Sequence, residues 1–226
     1  MQTADPIVFI VNADTHLRSR LEYIARSGGF NAIAFASAAD FLAYPRSDLP
    51  ACHILGIAPG DTSSLALQLS LAATEPAAVV FVSRQADVAC SAQVFKAGAL
   101  DFLTAPFADA DLLRAIEDAV RRAKDLHARR QRAALLRQRL NHLTEREREV
   151  LQLVVSGCLN KQVAATLGIS EITVKAHRGR VMAKMLADSF ADLVRMAAEL
   201  HLPIIATRHD VRRVDTGWGQ PTSACA

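Results

Sequence analysis

The chain has only four cysteines in 226 residues, Cys52, Cys90, Cys158 and Cys225, and no two of them share CxxC spacing. That scatter argues against a disulfide framework or a zinc site and fits a reducing, cytoplasmic setting. No apolar run approaches the roughly 20 residues needed to cross a bilayer, so no membrane partner is expected. The opening MQTADPIVFIVNAD lacks the basic start and small-residue cleavage site of a signal peptide. A nucleophile triad, a metal-ligand cluster and a phosphate-binding glycine loop are also missing. An enzyme and a cofactor are therefore not expected.

What is present suffices for two small packed domains: 51% of residues are hydrophobic and 22% charged. The net charge of +3 hides an asymmetry. Residues 1–118 carry 7 basic and 13 acidic side chains, a net of −6, whereas residues 119–203 carry 16 and 8, a net of +8. A basic back half is the electrostatic signature of a nucleic-acid partner.

Along the front half, short β-branched runs alternate with helical patterns. Ile7 to Val11 reads as a strand buried on both faces, followed by Leu17, Leu21 and Ile24 at helical spacing up to Gly28-Gly29. Further strands are predicted over Ala32–Ala36, Ala51–Ile57, Ala78–Val82 and Asp101–Thr104, with helices over Ala38–Tyr44, Leu65–Ala73 and Val88–Ala97. Such alternation predicts an α/β, doubly wound, five-stranded parallel sheet. From Asp109 the pattern stays helical into the 140s. Leu112, Ile116, Ala119, Ala123 and Leu126 form a near-heptad stripe there, which would suit a dimer interface or a short coiled coil between two chains. Residues 119–142 hold 8 basic and 1 acidic side chains.

The back half reads as four helices. Thr144-Glu145-Arg146-Glu147 is a capping box. Asn160 is placed to cap a second helix, Lys161 to Leu167, with Gly168 as its left-handed stop, and Ser170 to cap a third. A turn of only Gly168-Ile169-Ser170 forces a steep crossing, as in a helix-turn-helix. Val174, Val181 and Met185 would pack inward along the third helix. A fourth helix, Ser189 to Leu200, has Leu193, Met196, Ala197 and Leu200 as its apolar stripe.

LTEREREVLQLVVSGCLNKQVAATLGISEITVKAHRGRVMAKM resembles the DNA-binding domain of the LuxR/FixJ/NarL family of regulators. The resemblance implies that Glu171–Met185 lies in the major groove of double-stranded DNA, as a homodimer on two half-sites, with RNA polymerase as a further partner. By analogy Lys175 and Ala176 face bases, and Asn160, Lys161, Thr173, His177 and Lys184 touch phosphate. Another base-facing family position falls on Gly179, which has no side chain, shifting the expected contacts to Arg178 and Arg180.

VFIVNADTHLRSRL and VFVSRQADVACSAQVFKAGALDFLTAPF resemble a receiver domain of the response-regulator type, with its flavodoxin-like fold. Receivers phosphorylate an aspartate with Mg²⁺ held by acidic residues and a lysine opposite the phosphate. Counting from the family's landmarks, the acidic pair falls on Asn12 and Ala13, the acceptor on Leu55 and the lysine on Ala105. Ser83 keeps the hydroxyl position. Asp61 lies beyond Pro59, on the wrong side of it to substitute. The expected organisation is a pseudo-receiver over 1–123, a basic helical linker over 124–142, the helix-turn-helix domain over 143–203 and a disordered tail over 204–226. The expected function is phosphorylation-independent, sequence-specific transcription control. Inputs left open are abundance, a ligand or partner at the pseudo-receiver pocket, and redox control through Cys158. The alternative is an interaction module that sequesters another regulator, which a mobility-shift assay separates from a DNA binder.

Overall fold

The computed structural model describes residues 5–45, 48–58, 63–74, 77–85 and 88–203. Asp61 and the tail 204–226 lie outside them, and with them the expectations stated for those residues. The chain divides into two compact units, Met1–Arg130 and Gln131–Ala226. Among the described residues no helix is long and apolar enough to cross a membrane.

In the first unit β1 (Ile7–Val11), β2 (Asn31–Phe35), β3 (Ala51–Ile57), β4 (Ala78–Ser83) and β5 (Asp101–Thr104) form one parallel sheet in the order β2-β1-β3-β4-β5. Helices α1 (Thr15–Ser27), α2 (Ala38–Ala43), α3 (Ser63–Thr74) and α4 (Val88–Lys96) join the strands, and α5 (Asp109–Asn141) follows β5. The predicted doubly wound sheet is what forms. β2 starts one residue earlier than its composition suggested, because the register with β1 pairs Ile7 with Asn31 and Val11 with Phe35.

Side chains alternate across a strand, so each central strand feeds two cores. Val8, Ile10 and Ile54 pack with Leu21 and Ile24 of α1 and with Leu112, Ile116 and Ala119 of α5. Phe9, Val11, Leu55 and Phe81 face the other way, against Phe41, Leu67, Leu71 and Val94. This corrects the expectation that the α5 stripe serves a dimer or coiled coil. Leu112, Ile116, Ala119 and Ala123 are spent on the sheet of their own chain. Near-heptad spacing describes any helix with a single apolar face, and here the sheet supplies the partner.

The second unit contains α6 (Glu145–Val155), α7 (Asn160–Leu167), α8 (Glu171–Met185) and α9 (Phe190–Glu199). Thr144 and Glu147 make the predicted capping box, and Ser170 caps α8 through the N–H of Thr173. Gly168 ends α7 in the left-handed region at φ 65°, where a side chain would be strained. Asn160 does not cap α7. It is the first helical residue, and Gln162 reaches back from within the helix to accept the N–H of Leu159.

One core joins Leu151 of α6, Val181 and Met185 of α8, and Leu193 and Met196 of α9. Leu136, from the C-terminal end of α5, is buried in the same cluster. Arg132 pairs with Glu199 at 2.7 Å, and Arg139 donates to the carbonyl of Met185 at 3.1 Å. A second core joins Val150, Leu153 and Val154 with Val163, Ala164 and Val174. Leu193 and Met196, like the α5 stripe, are therefore core residues and not free interface.

Because these positions are buried, Ile116→Ala should cost about 2–5 kcal/mol of stability through the cavity it leaves. Ile116→Asp and Leu193→Asp should unfold their units and leave no folded monomer behind. Thermal unfolding and solution mass check this together; a well-folded Ile116→Asp protein of reduced mass would return the stripe to an interface role.

Candidate nucleic-acid interface and acceptor pocket

Burial of Val174, Val181 and Met185 fixes the rotation of α8 about its axis. The residues left outward are Glu171, Ile172, Lys175, Ala176, Gly179, Arg180, Ala183 and Lys184. Lys175 and Ala176 thus lie on the open face, and Arg180 beside it. Lys161 is exposed on α7, while Asn160, Thr173 and His177 are half-buried. Among the described residues, the enclosed Nδ1 of His177 has no hydrogen-bond partner.

Two of the basic residues expected to meet DNA are engaged within the unit. Arg178 donates to the Oδ1 of Asn160 at 2.6 Å, and its guanidinium lies 5.1 Å from the centre of the Phe190 ring. This bond ties α8 to the start of α7. Lys184 pairs with Glu147 at 2.6 Å. Glu147 is buried, and the Lys184 ammonium, together with the N–H of Thr144, holds its carboxyl below the usual range. Arg180, by contrast, is exposed. Sequence could not reveal these pairs, since their partners stand 18 and 37 residues away.

Cys158 packs against the Val150–Val174 core. Burial pushes its thiol up, toward the protonated form that is the poorer nucleophile. The expected redox role has no exposed thiolate to act through.

At the C-terminal ends of β1, β3 and β4 lies an open cavity of about 820 Å³, lined among others by Asn12, Ala13, Asp14, Gly56, Ser83 and Arg84. The position assigned to the phosphoacceptor needs correction. Leu55 points away from this cavity into the Phe9 and Phe81 core, and Gly56 is the residue that lines it. Counting back from the proline selected the wrong phase of the strand. The chemical outcome is the same, because glycine offers no acceptor group.

The space in front of Gly56 is already filled. A Cβ built there would stand 2.4 Å from the Nδ2 of Asn12. Asn12 is itself held: its Oδ1 accepts the N–H of Asp14 at 2.9 Å, and its carbonyl accepts from Arg18 at 2.7 Å. Ser83 is buried with its Oγ accepting the N–H of Gln85. The backbone N–H of Ala105 donates to the Ser83 carbonyl at 2.8 Å, so the residue beyond β5 that stands next to Ser83 carries only a methyl group.

These residues do not fit Mg²⁺. Asn12, Ala13 and Gly56 supply no carboxylate, and Asp14 is committed elsewhere. It caps α1, accepting from Leu17 and His16, and pairs with Arg84 at 2.9 Å. The Leu17 N–H, helped by Arg84, holds its carboxyl below the ordinary value. Among the described residues no group of three or more His, Cys, Asp or Glu is placed to hold a metal.

Comparison with known proteins supplies a context for both units. Residues 141–197 match the family model described as bacterial regulatory proteins, luxR family. The chain is 38% identical over 195 residues to Nodulation protein W of Bradyrhizobium diazoefficiens, covering 86% of each chain. It is 36% identical over 196 residues to the transcriptional regulatory protein FixJ of Rhizobium meliloti, covering 85% of this chain and 95% of that one. Among solved structures, the response regulator StyR superposes with a TM-score of 0.70 at 36% identity, over 87% of this chain and all of the other.

The contact between Gly56 and Asn12 makes a stability prediction. Gly56→Ala should cost about 1–3 kcal/mol by overpacking. Asn12→Ala removes the obstructing amide, so the double variant should lose at least about 0.5 kcal/mol less than the two single losses together. Denaturant unfolding of the four proteins measures the coupling; additive losses would show that the two residues do not compete for one space.

Proposed function

The chain belongs to the LuxR/FixJ-type response regulators and carries their luxR-family DNA-binding domain, and from that premise we propose that it controls transcription as a dimer whose receiver-like unit works without aspartate phosphorylation. The observation that carries the second half of this reading is the Asn12 amide standing over Gly56. Phosphoryl transfer needs an acceptor carboxylate, a metal to neutralise developing charge and a cation opposite the product. At those places this chain has Gly56, a set with no free carboxylate, and Ala105.

For DNA, the outward face of α8 with Lys175 and Arg180, and the exposed Lys161 of α7, support recognition in the major groove. Arg178 and Lys184 act at one remove, Arg178 by fixing α8 against α7 and Lys184 by neutralising Glu147 of α6. The protein acts by occupying its sites and through RNA polymerase at the promoter, not by catalysis.

Reading two half-sites needs a two-fold interface. With the α5 stripe and Leu193 committed to the cores, outward apolar residues of α9 support one: Phe190 and Val194, one helical turn apart, are 41% and 36% exposed, and Leu186 at the C-cap of α8 is 62% exposed.

Incubation with acetyl phosphate and Mg²⁺ should leave both the intact mass and the DNA affinity unchanged; a stoichiometric mass gain of one phosphoryl group would overturn the phosphorylation-independent reading. Lys175→Ala should weaken cognate binding by about 1–3 kcal/mol, while Lys161→Ala should weaken all sequences alike and reduce the salt slope by about one.

Val194→Asp should keep its melting temperature, shift the solution mass toward monomer and weaken operator binding. An unchanged dimer in that variant would move the interface elsewhere.

A further inference from the structure

On α8, Ile172 is 79% exposed, the most open of the large hydrophobic side chains among the described residues. Nothing in its own unit needs an apolar group there, since Val174, Val181 and Met185 already face the core. We propose that Ile172 is a specificity-determining residue that reads the C5-methyl of a thymine in each half-site. The proposal rests on α8 being the reading helix.

Three observations lead to it. Ile172 is the second residue of α8, and helix-turn-helix recognition helices present their N-terminal residues to base edges. Its neighbour is Glu171, an exposed acid, so this end of the helix is not set up to hold phosphate. The apolar feature that the major groove displays is the thymine methyl.

The rest of the face agrees with close approach at that end. Lys175, Ala176 and Gly179 follow Ile172 at steps of three, four and seven, and so share its side of the helix. A Cβ at Gly179 would meet nothing within 4 Å, so packing within the unit does not require glycine there. Glycine weakens a helix interior. Keeping it in the middle of the outward face leaves room for the duplex and brings Ile172 down to the bases. With Arg178 held by Asn160 and Lys184 by Glu147, apolar contact makes up much of what this face can read.

The test is selection from random duplexes with the full-length protein, comparing wild type, Ile172→Ala, Ile172→Val and Lys175→Ala. Wild type and Ile172→Val should enrich a thymine at one position of each half-site, and Ile172→Ala should lose that preference there alone. Replacing that thymine by deoxyuridine, which lacks only the methyl, should weaken wild-type binding about fourfold, the worth of one buried methyl. It should leave Ile172→Ala binding unchanged.

An identical enriched sequence for wild type and Ile172→Ala, with Lys175→Ala impaired, would overturn the proposal and leave α8 as the reading helix. If Lys175→Ala also binds and selects like wild type, the assignment of α8 fails and the proposal falls with it. Indifference of wild type to deoxyuridine at every thymine of the half-site would overturn the methyl contact even if Ile172→Ala changes preference.

Discussion

Val174, Val181 and Met185 lie in the interior of the second unit, and their burial sets the rotation of α8. Every statement about what this helix offers to DNA depends on that rotation. A turn of about one residue step, 100°, would bury Lys175 and expose the core. The setting is reinforced from the sides by polar contacts: Arg178 reaches Asn160 on α7, and Lys184 reaches the buried Glu147 on α6. Glu147 also completes the Thr144 capping box, so one carboxylate joins the start of α6 to the far end of α8. Cations that look like a uniform basic helix in the sequence are therefore divided between holding the helix and facing outward.

The first unit shows the same dependence on phase, in a sheet. Strand alternation gives Leu55 to one core and Gly56 to the cavity at the strand ends. A shift of one residue exchanges a sealed apolar side chain for a backbone that lines the cavity beneath Asn12. The two units thus rest on the periods of their elements, 3.6 in one and 2 in the other, and the chemistry available at each site follows from them.

Much of this was legible in the chain. The continuous apolar run Ile7–Val11 located β1 to the residue, the breaks at Pro59-Gly60 and Pro106 did the same for β3 and β5, and Thr144, Gly168 and Ser170 gave helix ends of the second unit. The misreadings share a cause. Asn160 satisfies the statistical profile of a cap, but the cap position falls one residue earlier, at Leu159, and the Asn160 oxygen accepts from Arg178 of another helix. The α5 stripe has an apolar face without stating which surface covers it, and the sheet lies too far away in sequence to be seen. Leu55 was reached by counting along a loop, whereas the direction of a side chain is decided by the strand. In each case a local pattern was read correctly and its partner was not.

The amide of Asn12 above Gly56 also has a bearing on the history of such a site. An ordinary binding pocket that loses a side chain keeps a vacancy, and a single reversal refills it. Here the space before Gly56 is occupied by a neighbour that is itself held by Asp14 and Arg18. An acidic residue in place of Gly56 would put two side chains in room for one until the neighbour also changed. If the receiver-like unit works without phosphorylation, as proposed, that state is entrenched: any path to an acidic residue at Gly56 passes through a destabilised intermediate.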